Sequence, residues 1–266
     1  MVEEKFGLSK FRLTKEEADM VSLPGRTEAR DAVFARLVYG QPTSNRMVVV
    51  DAFSNVGTDG LAFMAQAAAF RRRITLICVQ RSVEEDRDPR QERFLRMRDN
   101  LTDFYNLGGV KEYVQLGMEH EFVRDFIGVR LAELCIRSID LLYMDPPWHL
   151  PEGFCLANDR GTDKKPSAPT LALVGLLARE VFAPLHAVGY PPPRIVCIKA
   201  PTPFVQFSLV LFEAAPYLRA NNYALFESIT VRNRRGSICM YFHILTRADA
   251  GPVRLDPTAS AFVPSV

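Results

Sequence analysis

The stretch RMVVVDAFSNVGTDGLAFMAQ, residues 46–66, decides the fold of this chain. Its first part, RMVVVDAF, is a short run rich in β-branched residues, which predicts a buried parallel strand ending at Asp51. SNVGTDG then predicts a turn, and LAFMAQAAAF predicts a helix packed on the sheet. A strand, a glycine-containing turn and a helix in this order are typical of the first unit of an α/β sheet.

The same alternation continues along the chain. Four more apolar runs predict strands and are separated by helical patterns: RRRITLICVQ, VKEYVQLG, SIDLLYMDPPW and PPPRIVCIKAP. YALFESITVRNRRGSICMYFHIL predicts two antiparallel strands around a turn. We therefore expect an α/β fold with a doubly wound, mostly parallel seven-stranded sheet, a C-terminal antiparallel hairpin and an N-terminal helical extension. The predicted division is an extension over residues 1–45, the sheet domain over 46–247 and a tail over 248–266.

Composition narrows the class of protein. The 266 residues are 48% hydrophobic and 24% charged with a net charge of +2, so contacts with polyanions must come from local patches. The five cysteines form no CxxC pair, which favours a reducing compartment and no zinc site. The charged N-terminus and the absence of long apolar runs predict a soluble, intracellular protein of cytoplasm or nucleus, with no membrane or metal partner. The sequence leaves the oligomeric state open.

The turn after the first strand is one candidate site. Asp51 ends the strand, while Gly57 and Gly60 allow tight backbone near the next helix. The first amides of that helix have no partner within the helix and are available to a polar ligand. A strand-end aspartate that merely caps the helix explains the same residues.

The second candidate site is the only tryptophan, in Asp145-Pro146-Pro147-Trp148 at the end of the fourth strand. The prolines fix two φ angles and remove two amide donors, so the carbonyls of Asp145 and Pro146 are able to face a cleft. The Asp145 carboxylate and the Pro146 carbonyl would accept hydrogen bonds from an exocyclic amine, and Trp148 would stack on its ring, worth about 1–3 kcal/mol. A proline-rich loop around a core tryptophan is the structural alternative.

A DPPW loop after strand four, downstream of a DxFxxxG turn and followed by a hairpin, resembles the S-adenosylmethionine-dependent amino methyltransferases. Within them, VVVDAFSNVGTDGLAFMAQ, LLYMDPPW and IVCIKAP are similar to the RNA cap guanine-N2 methyltransferases (trimethylguanosine synthases), including forms from large DNA viruses. The resemblance covers Arg46 to Leu245. It implies a Rossmann-like methyltransferase fold, S-adenosyl-L-methionine as cofactor, RNA with a capped 5′ end as partner, and direct methyl transfer to an amine.

The resemblance also implies a role for each site residue. Those of the cofactor turn are Asp51, Phe53 and Gly57, and those that hold and stack the base are Asp145, Pro146 and Trp148. Lys199 matches a lysine of the viral forms and would contact phosphate or base, unless its ammonium only extends to solvent. His149 lies next to the site, and Lys164 and Lys165 are candidates for RNA phosphates or simply solvated residues.

The chain also departs from the family pattern. Gln80 stands where an acidic residue normally binds the cofactor ribose, and Glu119 stands near the position that meets the adenine amine, unless the register is slipped. His149 and Leu150 replace the usual glycines after the tryptophan. Three functions therefore stay open: methylation of the cap guanine N2, methylation of adenine N6 in RNA or DNA, and RNA binding by an inactive methyltransferase-like subunit.

Overall fold

The computed structural model describes residues 8, 10–14, 24–39, 46–80, 89–145, 181–201, 218–232 and 238–250. The strands are β1 (Met47–Asp51), β2 (Ile74–Val79), β3 (Val114–Glu119), β4 (Leu141–Met144), β5 (Ile195–Pro201), β6 (Tyr223–Arg232) and β7 (Ile238–Arg247). The helices are α1 (Pro24–Tyr39), α2 (Thr58–Ala69), α3 (Pro89–Tyr105), α4 (Val110–Tyr113), α5 (Leu131–Glu133) and α6 (Ala183–Ala187). A π-helix, Phe122–Arg130, precedes α5, and a 3-10 turn, Ala248–Ala250, follows β7.

The seven strands form one sheet in the order β3-β2-β1-β4-β5-β7-β6. Strands β1 to β5 pair in parallel, whereas β7 is antiparallel to both β5 and β6. The predicted mostly parallel sheet with a C-terminal antiparallel hairpin is therefore confirmed. The strand order changes direction between β1 and β4, and the crevice at the carboxyl ends of such a pair is where open α/β sheets bind ligands.

Alternation along the strands divides the core into two layers. Val49, Leu76 and Tyr143 point to the layer that contains α1 and α2. Their neighbours Val50, Ile77 and Leu142 belong to the opposite layer, with the π-helix and α6. Because both faces are covered, the central strands consist of nearly continuous apolar residues instead of alternating polar and apolar ones.

Helix α1, which falls within the predicted N-terminal extension, packs into the first of these layers. The Phe34 ring stacks on Phe63 of α2 with centroids 3.9 Å apart, and it meets Tyr143 edge-on at 5.0 Å. Phe34, Leu37 and the side chain of Arg30 are almost completely buried. The helix thus forms part of the same core as the sheet.

The structure corrects two element predictions. The run VKEYVQLG was predicted to be a strand from residue 110, but residues Val110–Tyr113 form α4 and β3 begins at Val114. Gly109 adopts a left-handed φ of 84°, which starts a helical turn and buries Val110. The helix predicted over residues 121–136 is present, but its first nine residues are π-helical.

Several predictions fall outside the described residues. They are the polar insertion at 158–169, most of the helices predicted at 170–189 and 203–218, the hairpin tip at 233–237 and most of the tail after residue 247. Among the described helices, none has both the length and the apolar character that crossing a membrane requires.

Candidate active site at the carboxyl edge of the sheet

The strand registers bring the predicted site residues to one edge. Asp51, the last residue of β1, is paired with Cys78 of β2 and Tyr143 of β4. Val79 of β2 is paired with Glu119 of β3, and Met144 of β4 with Ile198 of β5. The residues that follow these pairs are Gln80, Asp145 and Lys199, so all of them lie at the carboxyl edge together with Asp51 and Glu119.

The turn between β1 and α2 is hydrogen-bonded to both strands that flank β1, namely β2 and β4. The Ala52 amide donates to the Tyr143 carbonyl at 3.0 Å, and the Ser54 amide donates to the Val79 carbonyl at 3.0 Å. Gly57 has φ 91°, and a Cβ there would lie 3.0 Å from Leu101 Cγ, so glycine suits both the conformation and the space. Helix α2 begins directly afterwards without a side-chain cap on its N-terminus.

Asp51 is completely buried at the start of this turn. Its Oδ1 accepts a long hydrogen bond, 3.4 Å, from the Phe53 amide, and its Oδ2 has no hydrogen-bond partner among the described residues. Burial and the nearby Asp59 carboxylate raise the pKa of Asp51 to about 8. This raised pKa favours the protonated form of Asp51 near neutral pH. The alternative that Asp51 caps α2 is not supported, because the N-terminus of α2 has no side-chain cap.

A buried ionic cluster, which we call the Asp59 cluster, links α1, α2, β4 and β5. It consists of Arg30, Asp59, Tyr143, Asp145 and Lys199. Arg30 Nη1 contacts Asp59 Oδ1 at 2.8 Å, and the Tyr143 hydroxyl donates to Asp59 Oδ2 at 2.7 Å. Lys199 Nζ lies 3.4 Å from Asp59 Oδ2 and 2.5 Å from Asp145 Oδ2. The cluster therefore connects the N-terminal helix to the first residue of the DPPW loop.

The charges of the cluster stabilise one another. Burial alone would raise the pKa of Asp59, but Lys199, Arg30 and the Tyr143 hydroxyl outweigh it, and the pKa is lowered. Burial would likewise lower the pKa of Lys199, but Asp145 and Asp59 raise it. Lys199 consequently remains an ammonium and Asp59 a carboxylate at neutral pH.

Lys199 does not extend to solvent, since only 8% of the residue is exposed. The Asp145 side chain is 25% exposed, whereas the side chains of Lys199 and Asp59 are 10% and 9% exposed. Lys199 is therefore less accessible to a ligand than the Asp145 carboxylate that it contacts. Its contacts favour a role in holding the Asp145 carboxylate, while direct contact of Lys199 with substrate stays a prediction.

Gln80 and Glu119 lie side by side at the ends of β2 and β3. The Gln80 amide donates to the Glu119 carbonyl at 3.0 Å. Glu119 is buried, and its Oε1 accepts a hydrogen bond of 2.6 Å from Arg130 of the π-helix. Next to it, the His120 ring stacks on Phe94 of α3 with centroids 3.6 Å apart. Residue 119 is the last residue of β3, so it reaches the edge at which a cofactor was predicted.

The rest of the predicted site lies outside the described residues. This holds for Pro146, Trp148, His149, Lys164 and Lys165. Asp145, which directly precedes Pro146, is at the same edge as the β1–α2 turn. The first residue of the DPPW motif is thus at the carboxyl edge, and the placement of the other three stays a prediction.

Sequence reasoning missed three members of the Asp59 cluster: Arg30, Asp59 and Tyr143. One signal was present, because Arg30 occupies the helical stripe that continues with Val33, Phe34 and Leu37. An arginine inside an apolar stripe indicates a buried anionic partner. The described residues contain no group of three or more histidine, cysteine, aspartate or glutamate side chains placed to hold a metal ion.

Comparison with known proteins supports the fold. No family model and no curated protein sequence matches the chain. Among solved structures, the METTL16 MTase domain aligns with a TM-score of 0.52 and 10% identity, covering 92% of this chain and 76% of that one. An SAM-dependent methyltransferase from Agrobacterium tumefaciens aligns with a TM-score of 0.48 and 12% identity, covering 85% and 63%. The strand order and the alignment with the METTL16 MTase domain show the Rossmann-like fold found in S-adenosylmethionine-dependent methyltransferases.

Proposed function

We propose that this chain is an S-adenosylmethionine-dependent methyltransferase that methylates an exocyclic amine of an RNA base, the N2 of a 7-methylguanosine cap. The observation that carries the proposal is the Asp145 carboxylate, bound by buried Lys199 at 2.5 Å and positioned beside the β1–α2 turn. This carboxylate directly precedes Pro146, Pro147 and Trp148. A fixed anion next to a stacking ring suits a flat heterocycle that carries N–H donors.

The residues of the edge fit the cofactor. Asp51 presents a buried carboxyl oxygen without a partner among the described residues, and the left-handed Gly57 lets backbone approach a ligand closely. The uncapped N-terminus of α2 offers amide donors. Gln80 would contact the ribose hydroxyls and Glu119 the adenine side, together with Asp51, Phe53 and Gly57 at the turn. Bound S-adenosylmethionine would supply an electrophilic methyl group.

The chain itself supplies orientation, charge stabilisation and exclusion of water. Asp145, paired with Lys199, would accept a hydrogen bond from the target amine and stabilise the positive charge that develops on nitrogen. The Pro146 carbonyl would accept the second N–H of the amine. Alignment of the two reacting atoms accounts for much of the expected rate enhancement, so no nucleophilic side chain is needed.

Trp148 gives the proposal its preference for a cap. A 7-methylguanine ring is cationic, and a cation stacked on tryptophan gains a cation–π attraction in addition to stacking. His149 would touch the base, and Lys164 and Lys165 would contact the phosphates of the cap and the adjoining RNA. Lys199 would act on the substrate through Asp145.

The test is methyl transfer from labelled S-adenosylmethionine to three acceptors: a 7-methylguanosine cap dinucleotide, its unmethylated counterpart and an adenine-containing oligonucleotide. We expect label on N2 of the methylated cap and much less on the unmethylated one. Label on adenine alone would eliminate the cap in favour of N6-adenine methylation. No heat in a calorimetric titration of folded protein with S-adenosylmethionine would instead indicate a binding subunit.

A variant of the stacking residue separates base recognition from cofactor binding. We expect Trp148→Ala to abolish methyl transfer while the Kd for S-adenosylmethionine stays nearly unchanged, because the ring contacts the base and not the cofactor. Trp148→Phe is the matched control, since it keeps a stacking face and should retain measurable turnover. Equal loss of cofactor affinity in Trp148→Ala would show that Trp148 belongs to the cofactor site.

A further inference from the structure

The amino edge of the sheet, opposite the proposed active site, contains a cavity of about 420 Å³. Its lining includes Met47 and Val48 of β1, Thr75 of β2 and Gln115 of β3, each the first or second residue of its strand. The loop before β4 and the residue before β5 complete it. The cavity therefore lies at the far end of the strands from Asp51 and Asp145.

Four arginines and one aspartate supply the charged groups of this lining: Arg46, Arg72, Arg137, Arg194 and Asp140. The formal charge of the lining is accordingly +3. These arginines come from four separate segments of the chain, so their convergence is a property of the tertiary structure. We call this site the amino-edge arginine cavity.

The one carboxylate of the cavity is already occupied. Asp140 Oδ2 accepts the Val48 amide at 2.8 Å, and Asp140 Oδ1 lies 3.2 Å from Arg194 Nη1. Arg46 Nη1 has only neutral acceptors, the Ile74 carbonyl and Gln115 Oε1, each at 3.4 Å. Arg46 and Arg137 make no ion pair with a carboxylate in the described part of the chain. The charges of Arg46 and Arg137 are thus not neutralised by a carboxylate among the described residues.

Arg72 adds a buried cation to this lining. It lies between α2 and β2, and only 8% of the residue is exposed. Burial lowers its pKa, and Asp140 offsets this effect only in part.

We propose that the amino-edge arginine cavity binds the phosphate group of a nucleotide-sized ligand. Guanidinium groups bind phosphate oxygens through paired, charge-assisted hydrogen bonds, and several that converge select a phosphate over a carboxylate of lower charge. The volume is in the range of small-molecule sites, which favours a single nucleotide over a longer chain. Thr75 and Gln115, also in the lining, would provide neutral hydrogen-bonding groups for the rest of the ligand.

Cys135 provides a direct measurement, since this exposed thiol lies in the lining of the same cavity. In a Cys155→Ser, Cys239→Ser background, the described thiols other than Cys135 are buried, namely Cys78 and Cys197. The rate of Cys135 alkylation by neutral iodoacetamide is measured with AMP, with pyrophosphate and with adenosine. We expect AMP and pyrophosphate to slow alkylation, by about tenfold when the ligand is at about ten times its Kd, and adenosine to have no effect.

Arginine variants link the protection to the cavity. Arg46→Ala and Arg137→Ala, both at exposed positions, should each weaken AMP binding measured by calorimetry by about tenfold or more. Arg98→Ala on α3 removes the same charge from an exposed side chain outside the cavity and should leave the affinity unchanged. Thermal unfolding of each variant verifies that the fold is retained.

Three results would overturn the proposal. They are an unchanged alkylation rate with no heat of AMP binding, equal effects of Arg98→Ala and Arg137→Ala, and protection by an oligonucleotide but not by AMP or pyrophosphate. The last result would indicate a nucleic-acid surface. Since the cavity lies at the opposite edge from the DPPW loop, none of these results depends on methyl transfer.

Discussion

Two buried aspartates only a few residues apart show how neighbouring charges decide protonation. Asp51 and Asp59 are both withdrawn from water, yet the pKa of Asp51 rises to about 8 and that of Asp59 falls. The difference is that Asp59 contacts Arg30, Lys199 and the Tyr143 hydroxyl, whereas the hydrogen bonds that lower the pKa of Asp51 come from uncharged groups, the Ser54 side chain and the Phe53 amide. Burial alone therefore does not set the charge of a carboxyl group.

Asp51→Asn should change the pH dependence of stability. The raised pKa means that folded Asp51 holds a proton that the unfolded chain releases above its ordinary pKa near 3.8. The contribution of Asp51 to the free energy of unfolding is therefore fully present below pH 4 and is lost as the pH rises to about 8. Asparagine does not titrate, so the variant does not lose this contribution. In urea denaturation, the free energy of unfolding of Asp51→Asn relative to the wild type should therefore increase between pH 4 and 8, by a few kcal/mol in order of magnitude.

The control for that experiment is Asp99→Asn, because the Asp99 side chain is 39% exposed. Its difference from the wild type gives the effect of removing one exposed carboxylate at each pH, with which the Asp51→Asn difference is compared. No larger change with pH for Asp51→Asn than for this control would contradict the raised pKa of Asp51.

At the level of elements, helix α2 determines where the candidate site lies. It begins immediately after the left-handed Gly57, and Gly60 in its first turn faces β2 and α3. The first turn of the helix also presents Asp59 to the buried cluster. A shift of α2 would therefore displace the β1–α2 turn and the anchor of Lys199 together.

Gly60→Ala should destabilise the protein through packing. The new Cβ would lie 2.8 Å from Cys78 Sγ and 2.9 Å from Leu101 Cδ2, closer than real contacts allow. We expect a loss of about 1–3 kcal/mol in the free energy of unfolding by chemical denaturation. Gly108→Ala, where a Cβ meets nothing within 4 Å, is the control and should change stability by less than about 0.5 kcal/mol. Equal effects of the two variants would contradict the close approach of α2 to the sheet.

The attachment of α1 is tested by Arg30→Met, which keeps much of the side-chain length and removes the charge. Asp59 would retain Lys199 and Tyr143 but lose its closest cation, and a broken buried ion pair costs about 3–5 kcal/mol of unfolding free energy. Arg36→Met on the same helix breaks a partly exposed pair with Glu227 and should cost less than about 1 kcal/mol. A small effect of Arg30→Met in thermal and urea unfolding would mean that α1 is held by its apolar residues alone.

For the whole molecule, the order of strands determines which part opens first. Strands β1 and β4 have hydrogen-bonded neighbours on both sides and side chains buried in both core layers. Strands β3 and β6 end the order of the sheet. Local opening frees amides at lower cost where fewer ladder bonds and apolar contacts must break.

Hydrogen–deuterium exchange should follow this order. Under native conditions, we expect peptides covering β1 and β4 to exchange slowest and peptides covering β3 and β6 to exchange faster, as measured by mass spectrometry. If β3 exchanged as slowly as β1, an additional element or subunit would have to cover that edge.

Local patterns were enough to predict the architecture and the edge at which the site lies. Runs such as Val48–Val50 and Leu141–Met144 are fully apolar because helices cover both faces, and parallel strands bring their carboxyl ends to one edge. Asp51, Gln80, Glu119, Asp145 and Lys199 could therefore be assigned to a common edge without coordinates. The start of β3 and the π-helix could not be predicted in the same way. A left-handed glycine before β3 and the change from i→i+4 to i→i+5 hydrogen bonds in the π-helix leave little signal in the sequence.

Only tertiary packing decided which charges pair inside the molecule. Arg30, Asp59 and Lys199 come from α1, α2 and β5, and they meet because those elements pack on the same face of the sheet. The amino-edge arginine cavity arises in the same way from residues that are remote in sequence. An ion pair depends on distance and burial, which no local periodicity encodes. The local sequence thus predicts strands and loops, while the protonation state and the partner of each buried charged group depend on the tertiary structure.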